Sequence, residues 1–321
     1  MDKKMFCFQC EQTVGCTGCT GNAGVCGKKA DTAKLQDELT GALISLANAV
    51  DGTETISKRT GQIIIEGLFT TVTNVSFDNA AIENMIQKVR AEKERLVPDC
   101  RTEEYDLQQL WNANEDIRSL KSLILFGIRG MAAYAYHANV LNYEDAEVNQ
   151  FFCEALSKIG YEESTEALLS TVLKTGEINL KCMALLDKAN TETYGTPEPT
   201  DVTLTVEKGP FIVVTGHDLK DLQLLLEQTE GKGINIYTHG EMLPAHAYPF
   251  LKKYAHLKGN FGTAWQNQQK EFDHLPAPIL YTTNCLMPPK SSYADRVFTT
   301  EVDALPGAVH IDEQKDSPPF M

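Results

Sequence analysis

The chain has few basic residues and no long apolar run. Its 29 lysines and arginines stand against 44 aspartates and glutamates, which leaves a formal net charge of −15. A nucleic-acid partner is therefore not expected, because its phosphates would be repelled. No stretch approaches the ~20 apolar residues of a membrane span, and the opening MDKKMFCF lacks the apolar core of a signal peptide. These absences predict a cytoplasmic protein with no membrane partner.

Cysteine, in contrast, is concentrated near the start of the chain. Five of the nine cysteines lie within residues 7–26, at Cys7, Cys10, Cys16, Cys19 and Cys26. Cysteines that serve as small core residues are scattered along apolar faces, whereas these five interleave with glycines in a polar segment. Glycine permits the positive-φ conformations that wrap several thiolates around one centre. The segment is therefore predicted to bind metal.

Three kinds of cysteine site compete for this segment. A structural zinc site usually pairs two C-x-x-C motifs a dozen or more residues apart, and here only residues 11–15 separate Cys10 from Cys16. An iron–sulfur cluster suits the compact spacing better, because each iron needs its own thiolate. A disulfide framework is the least favoured, since thiols stay reduced in the cytoplasm. Zinc and disulfides remain open alternatives on spacing alone.

The first long part of the chain has helical periodicity. Apolar residues recur every three to four positions in six segments, which predicts a helical bundle over residues 32–190. The segments are 32–50, 63–73, 80–96, 114–141, 146–159 and 166–189. Four polar residues are predicted to start or cap helices, namely Ser57, Asp78, Asp145 and Ser164.

From Phe211 the pattern changes to short β-branched runs, FIVVTG, GINIYTHG and APILYTTN, which alternate with amphipathic segments. Such alternation predicts βαβ units on a parallel sheet. The stretch 191–210, rich in proline, threonine and glycine, is expected to be a linker or an edge strand. The predicted fold class is α + α/β. An N-terminal iron–sulfur cysteine loop and helical bundle fill residues 1–202, and a partial, Rossmann-like parallel-sheet domain fills residues 203–321.

Three metal-ligating residue types follow the predicted strands. His217 follows FIVVTG, Glu241 follows INIYTHG, and Cys285 follows ILYTTN. In open α/β sheets, ligands bind in the crevice at the carboxyl ends of the strands. Each residue also has a structural interpretation. His217 could help to start a helix, Glu241 could interact favourably with a helix dipole, and Cys285 could be a small buried residue. Their shared position favours a transition-metal site, which takes mixed nitrogen, oxygen and sulfur ligands.

Several longer motifs resemble one family. They are MFCFQCEQT, GHDLKDL at 216–222, LLEQTEGKGINIYTHGEMLPAHAYP at 225–249, and GNFGTAWQNQQKEF followed by TTNC. Together they are similar to the hybrid cluster proteins, also called prismane proteins or hydroxylamine reductases. The resemblance runs from Met5 to about Ile311, and motifs of this length are highly specific.

The resemblance implies two metal centres. An N-terminal [4Fe-4S] or [2Fe-2S] cluster would be held by Cys7, Cys10, Cys19 and Cys26, with Cys16 outside the set. A hybrid [4Fe-2O-2S] cluster would take His217, Glu241 and Cys285 as ligands. Family members normally continue with further cysteines and another glutamate for the hybrid cluster, so a truncated gene, a frameshift or a partial sequence is expected here.

The implied activity is the reduction of hydroxylamine to ammonia and water, with electrons passed by the N-terminal cluster from an unidentified donor. The alternatives are a nitric oxide reductase or nitrosylase of the same family, and a non-catalytic electron-transfer fragment. His239 and His246 flank Glu241 and are candidates for delivering protons, against a purely structural role.

The three other cysteines, Cys100, Cys153 and Cys182, are isolated in the sequence and are predicted to be structural thiols.

Overall fold

The structure is a computed structural model that describes residues 5–10, 18–50, 55–98, 104–162 and 164–312. The chain divides into two compact units. The first consists of Met1–Val72 and Asp78–Lys188, and the second of Thr73–Phe77 and Ala189–Met321.

The first unit is helical. Its helices are α1 (Ala30–Val50), α2 (Lys58–Thr70), α3 (Asn79–Leu96), α4 (Leu107–Asn112), α5 (Glu115–Val140), α6 (Ala146–Tyr161) and α7 (Thr165–Tyr194), the last of which continues past Lys188. The predicted helices are confirmed. The short α4 was not predicted, since it offers little more than one turn of apolar spacing, and α7 ends at Tyr194 rather than at 189.

The predicted starts of four helices are confirmed by their hydrogen bonds. The side chains of Ser57, Asp78 and Asp145 each accept from backbone N–H groups two or three residues further on. Ser164 Oγ accepts from the N–H of Ala167 at 3.3 Å. The first N–H groups of a helix have no partner within it, and these side chains satisfy them.

One large apolar core holds the helical unit together, and an aromatic group ties the cysteine-bearing segment to it. Phe6 and Phe8, on either side of Cys7, pack on Trp111 with ring centroids 5.1 and 4.8 Å away. Phe8 belongs to the core and is 4% exposed. Aromatic pairs of this geometry contribute about 0.5–1.5 kcal/mol each beyond the area they bury. The segment around Cys7 is therefore anchored to the core of the helical unit.

The second unit is built on a parallel sheet of six strands in the order β3-β2-β1-β4-β5-β6. The strands are β1 (Phe211–Thr215), β2 (Asn235–His239), β3 (Leu257–Phe261), β4 (Ile279–Tyr281), β5 (Val297–Thr299) and β6 (Val309–His310). This is the doubly wound arrangement of an α/β domain. The sequence predicts a partial sheet. Among the described residues the sheet has six strands, of which the last is two residues long.

The connections between the strands are short. Helix α8 (Leu219–Thr229) links β1 to β2, and a 3₁₀ segment (Gly240–Ala247) with α9 (Pro249–Lys252) links β2 to β3. A 3₁₀ turn (Trp265–Asn267) and α10 (Gln268–Glu271) lead from β3 to β4. No helix among the described residues combines the length and the apolar content needed to cross a bilayer.

Strands β1, β2 and β4 confirm the prediction, whereas β3 was not predicted. Its sequence LKGNF has few apolar residues, and Gly259 lies so close to the carbonyl oxygen of Thr203 that a side chain would collide with it. The N–H of Asn260 donates to the same Thr203 oxygen at 2.9 Å. The predicted linker therefore runs beside β3 without forming a strand, and its contact with β3 accounts for the glycine there.

Candidate metal sites

Cys7 and Cys19 are paired across the N-terminal segment. The N–H of Cys7 donates to the carbonyl of Cys19 at 3.1 Å, and the N–H of Cys19 donates to the carbonyl of Cys7 at 2.7 Å. Gly18 precedes Cys19 with φ +84°, and a Cβ there would come within 3.1 Å of the Cys7 oxygen. Glycine is thus needed for the turn that brings these two cysteines together.

All four cysteines implied as cluster ligands are free thiols. Cys7 is buried, while Cys10, Cys19 and Cys26 are partly exposed. Burial raises the pKa of the Cys7 thiol, and the positive charge of Lys28 opposes this shift. Metal ligation requires the thiolate, so a bound cation would have to reverse the effect of burial.

The other cysteines of the first unit divide by position. Cys16 and Cys100 lie outside the described residues. Cys153 and Cys182 are buried in the helical core, and Cys182 Sγ lies 3.5 Å from the carbonyl oxygen of Met131. Burial raises the pKa of Cys182 to about 12. Both have the surroundings of inert structural thiols.

The second unit gathers three donor residues at the point where its strand order reverses. β1 lies between β2 and β4, and the chain crosses to opposite sides of β1. His217 stands two residues after the end of β1, Glu241 two residues after the end of β2, and Cys285 four residues after the end of β4. The carboxyl ends of the strands on either side of such a switch point form the usual ligand crevice of this fold.

The side chains of these three residues meet. His217 Nε2 lies 3.2 Å from Oε2 of Glu241, and Cys285 Sγ lies 3.7 Å from the same oxygen. The side chains of His217 and Glu241 are 33% and 52% exposed, so the crevice opens to solvent. An imidazole and a thiol from two loops therefore both contact the carboxylate of Glu241, which lies on a third loop.

The imidazole of His217 is oriented by a backbone carbonyl. Its Nδ1 donates to the carbonyl oxygen of Asn284 at 2.6 Å, since a carbonyl can only accept. This fixes the tautomer and leaves the lone pair of Nε2 on the side of Glu241. A metal-bound histidine is commonly held in this way by its second ring nitrogen.

The protonation of the Cys285 thiol and the spacing of the three donors bear on the kind of group this crevice can hold. Burial and the Glu241 carboxylate raise the pKa of Cys285 to about 12, so the thiol is protonated when no cation is near. Within the described ranges, no group of three or more His, Cys, Asp and Glu side chains is arranged to hold a single metal ion. The three donors lie on one side of a solvent-open crevice. Such an arrangement suits a metal cluster, which is larger than one ion and takes ligands from other residues as well.

Gly216 makes the approach of β1 to β4 possible just before His217. Its φ is +110°, and a Cβ there would lie 2.5 Å from Thr282 Oγ1 and 2.7 Å from the N–H nitrogen of Thr283. Thr283 Oγ1 in turn accepts from the N–H of His217 at 3.0 Å. The glycine and the two threonines fix the backbone that carries the imidazole.

Gln268 holds the loop of Cys285, whereas the sequence indicates only that the run 265–269 could line the crevice or satisfy backbone groups. Its Nε2 donates to the carbonyl of Cys285 at 2.9 Å, and its Oε1 accepts from the N–H of Met287 at 3.0 Å. The side chain is fully buried. A buried amide that satisfies two backbone groups positions the loop, and the run QNQQ in the sequence gives no sign of which glutamine does so.

The two histidines near Glu241 are engaged with other partners. His239 Nδ1 lies 3.1 Å from Thr215 Oγ1 and its Nε2 3.0 Å from Glu271 Oε2, while His246 Nε2 lies 2.9 Å from Thr238 Oγ1. Both are buried, and burial lowers the pKa of each. Their neutral forms and threonine partners favour the structural role over proton delivery.

A buried carboxylate in the second unit has no partner among the described residues. Neither oxygen of Asp303 has a hydrogen bond, and the residue is fully buried. Burial raises the pKa of Asp303 itself well above its usual range.

Comparison with known proteins agrees with this architecture. The profile of the Prismane/CO dehydrogenase family matches residues 5–319. A hydroxylamine reductase of Thermodesulfovibrio yellowstonii is 48% identical over 98% of this chain and 63% of its own length. Those of Halothermothrix orenii and Porphyromonas gingivalis are 44% and 45% identical over 99% and 98% of this chain, and 64% and 62% of their own lengths.

The chain thus combines a helical unit that carries a cysteine-rich segment with a doubly wound parallel-sheet unit. The chain belongs to the Prismane/CO dehydrogenase family. Membership implies iron–sulfur clusters, and the N-terminal cysteines are present. The chain spans a little under two thirds of the length of these relatives.

Proposed function

We propose that this chain works in the reduction of hydroxylamine to ammonia and water, with an N-terminal iron–sulfur cluster and a second, hybrid iron–sulfur–oxygen cluster. The observation that carries the proposal is the meeting of His217, Glu241 and Cys285 at the switch point. The reaction takes up two electrons and two protons for each hydroxylamine, and it breaks the N–O bond. When bound, the two clusters supply single-electron transfer and open coordination for the substrate.

The residues of the first unit have the task of holding one cluster. Cys7, Cys10, Cys19 and Cys26 supply four thiolates, which matches either a [4Fe-4S] or a [2Fe-2S] cluster. The paired backbones of Cys7 and Cys19 bring residues that are distant in sequence to one place. An unidentified donor delivers electrons to this unit.

The residues of the second unit have the task of holding the hybrid cluster and leaving a side open. His217 presents a nitrogen, Glu241 a hard oxygen and Cys285 a soft sulfur, which together form the mixed donor set of a transition-metal site. The half-exposed side chain of Glu241 keeps the site open to a small substrate. Gln268 holds the Cys285 backbone in place during the reaction.

A second candidate function is electron transfer without turnover. The chain spans 63% of the Thermodesulfovibrio relative, and the resemblance implies further hybrid-cluster ligands beyond the three identified here. In this candidate the first unit exchanges electrons and the second binds iron incompletely. The two candidates make different predictions for the chain alone.

The test is anaerobic hydroxylamine reduction by a reduced viologen dye after iron–sulfur reconstitution. It compares the 321-residue chain with the chain extended by the C-terminal part of the Thermodesulfovibrio relative. We expect turnover from the extended protein, its loss with Cys285→Ser, and its retention with the buried control Cys153→Ser. Turnover that survives Cys285→Ser would refute the proposed site. If the 321-residue chain oxidises the dye only when another electron acceptor is added, the result would support electron transfer without turnover.

A further inference from the structure

Two buried cationic side chains donate hydrogen bonds to Gln9, which lies inside the first C-x-x-C motif. Lys28 and Arg129 are each 3% exposed. Lys28 Nζ donates to Oε1 of Gln9 at 2.9 Å, and Arg129 Nη1 donates to the carbonyl oxygen of Gln9 at 3.2 Å. Gln9 lies between Cys7 and Cys10, so both positive charges contact the loop that carries these thiols.

This network contains more positive than negative charge. Its carboxylate is Asp37, which accepts from Gln9 Nε2 at 2.6 Å. Burial raises the pKa of Asp37 to about 6, so it is ionised at neutral pH. Burial lowers the pKa of Arg129 to about 10, which leaves the guanidinium charged. Burial also lowers the pKa of Lys28, and the cysteines Cys7 and Cys26 oppose this shift. One carboxylate thus faces the two basic side chains, and an uncompensated buried charge is costly.

The negative charge that would balance these cations is expected at the cysteines. Arg129 interacts electrostatically with Cys7 and Cys10, and Lys28 with Cys7 and Cys26. The Nε of Arg129 is also buried, and it has no hydrogen-bond partner among the described residues. An unpaired donor and an excess positive charge thus lie beside three of the four cluster cysteines.

We propose that Arg129 and Lys28 are the counter-charges of the N-terminal cluster, and that they raise its reduction potential. This inference rests on the proposed cluster at Cys7, Cys10, Cys19 and Cys26. Neither cation is a ligand. Both act through the charge they place beside the thiolates and through their hold on Gln9.

The direction of the effect follows from electrostatics. Each one-electron reduction adds a negative charge to a group that the thiolates already make negative, so nearby cations stabilise the reduced form more than the oxidised form. Burial strengthens the effect, because solvent screens it little. Without the cations the cluster becomes harder to reduce.

The test is a redox titration with dithionite, followed by electron paramagnetic resonance and visible absorbance. A Cys285→Ser background limits the signal to the N-terminal cluster. The variants are Arg129→Met and Lys28→Met, which remove charge, and Arg129→Lys, which keeps it. Lys181→Gln is the control, because it removes an equal charge from an exposed ion pair with Glu147 in the same unit.

At the potential where the parent is half reduced, we expect the ratio of reduced to oxidised cluster to fall about tenfold in Arg129→Met, which is a shift of about 59 mV. Lys28→Met should shift in the same direction, while Arg129→Lys and Lys181→Gln should stay near the parent. If both methionine variants fold by circular dichroism but retain no iron while Arg129→Lys does, the counter-charge role is also supported.

Unchanged potentials in loaded Arg129→Met and Lys28→Met would overturn the inference, as would equal shifts in Arg129→Met and Arg129→Lys. Failure of the methionine and lysine variants alike to fold would overturn it too, since the residues would then be structural. A parent chain that takes up no iron–sulfur cluster would instead refute the proposed N-terminal site.

Discussion

The Nε2 of His217 and the Oε2 of Glu241 lie 3.2 Å apart, although the two residues follow different strands of the sheet. Nδ1 of His217 donates to the Asn284 carbonyl, so Nε2 of the neutral imidazole can only accept a hydrogen bond. A carboxylate oxygen is likewise only an acceptor. Two acceptors at this distance repel one another unless a proton or a metal cation lies between them. Cys285 Sγ, 3.7 Å from the same oxygen, supplies a third donor for such a cation.

This relationship predicts metal binding by the second unit alone. In a background with Cys7, Cys10, Cys19 and Cys26 changed to serine, we expect reconstitution with iron and sulfide to load the second unit and to give a visible iron–thiolate absorbance band. A further Cys285→Ser change should abolish that band, and Glu241→Gln should lower the amount of bound iron, since a carboxylate ligand is lost. Absorbance that persists without Cys285 would place the metal elsewhere.

The turn before His217 predicts a large cost for a small substitution. Gly216→Ala introduces a Cβ at φ +110° that collides with Thr282 and Thr283, so we expect a loss of about 2–4 kcal/mol from strain and steric overlap. Thermal unfolding measures the loss.

Gly231→Ala is the matched control, because its φ is +71° but nothing lies within 4 Å of the added carbon. It should cost only about 1 kcal/mol. Equal costs at the two positions would show that the close approach of β1 to β4 does not depend on Gly216.

The cysteines of the N-terminal segment should differ in their effect on cluster formation. Serine at Cys7, Cys10, Cys19 or Cys26 should abolish the visible absorbance of the reconstituted Cys285→Ser chain, because each iron needs its thiolate. Cys16→Ser and the buried control Cys153→Ser should leave it unchanged. If Cys16→Ser bleaches the protein and Cys19→Ser does not, the ligand set is wrong.

The helices and the inner strands were predictable because their signals are local. Caps such as Asp78 and Asp145 precede apolar residues at helical spacing, and β1 and β2 are β-branched runs bounded by glycine. Strand β3 depends instead on a contact with Thr203 far back along the chain, which no local pattern reveals.

The site was partly predictable for a related reason. His217, Glu241 and Cys285 could be placed together because parallel strands bring their carboxyl ends to one edge. Gln268 could not be singled out from its neighbours in the run 265–269, since its role comes from a hydrogen bond to the Cys285 carbonyl. The sequence does not distinguish Arg129 from the other polar residues of α5. Its contact with the cysteine loop, through the carbonyl of Gln9, appears only in the folded structure.

Asp303 predicts how stability depends on pH. Its carboxyl group is fully buried without a hydrogen-bond partner among the described residues, and burial raises its pKa well above the ordinary value. In the unfolded chain the group loses its proton near pH ~4. Above that pH, folding must restore a proton, so this group lowers stability progressively as pH rises towards its pKa in the folded state.

Asp303→Asn removes that proton linkage while keeping the shape of the side chain. We therefore expect the variant to be more stable than the parent at pH 8, with a difference that shrinks towards pH 5 by up to about 1.4 kcal/mol per pH unit. Thermal unfolding of the metal-free chain between pH 5 and pH 8 measures it. Asp295→Asn is the control, because Asp295 is 70% exposed beside Arg296 and should show little change. A difference between Asp303→Asn and the parent that is constant across this range would mean that Asp303 is ionised in the folded protein, with a counter-charge that satisfies it.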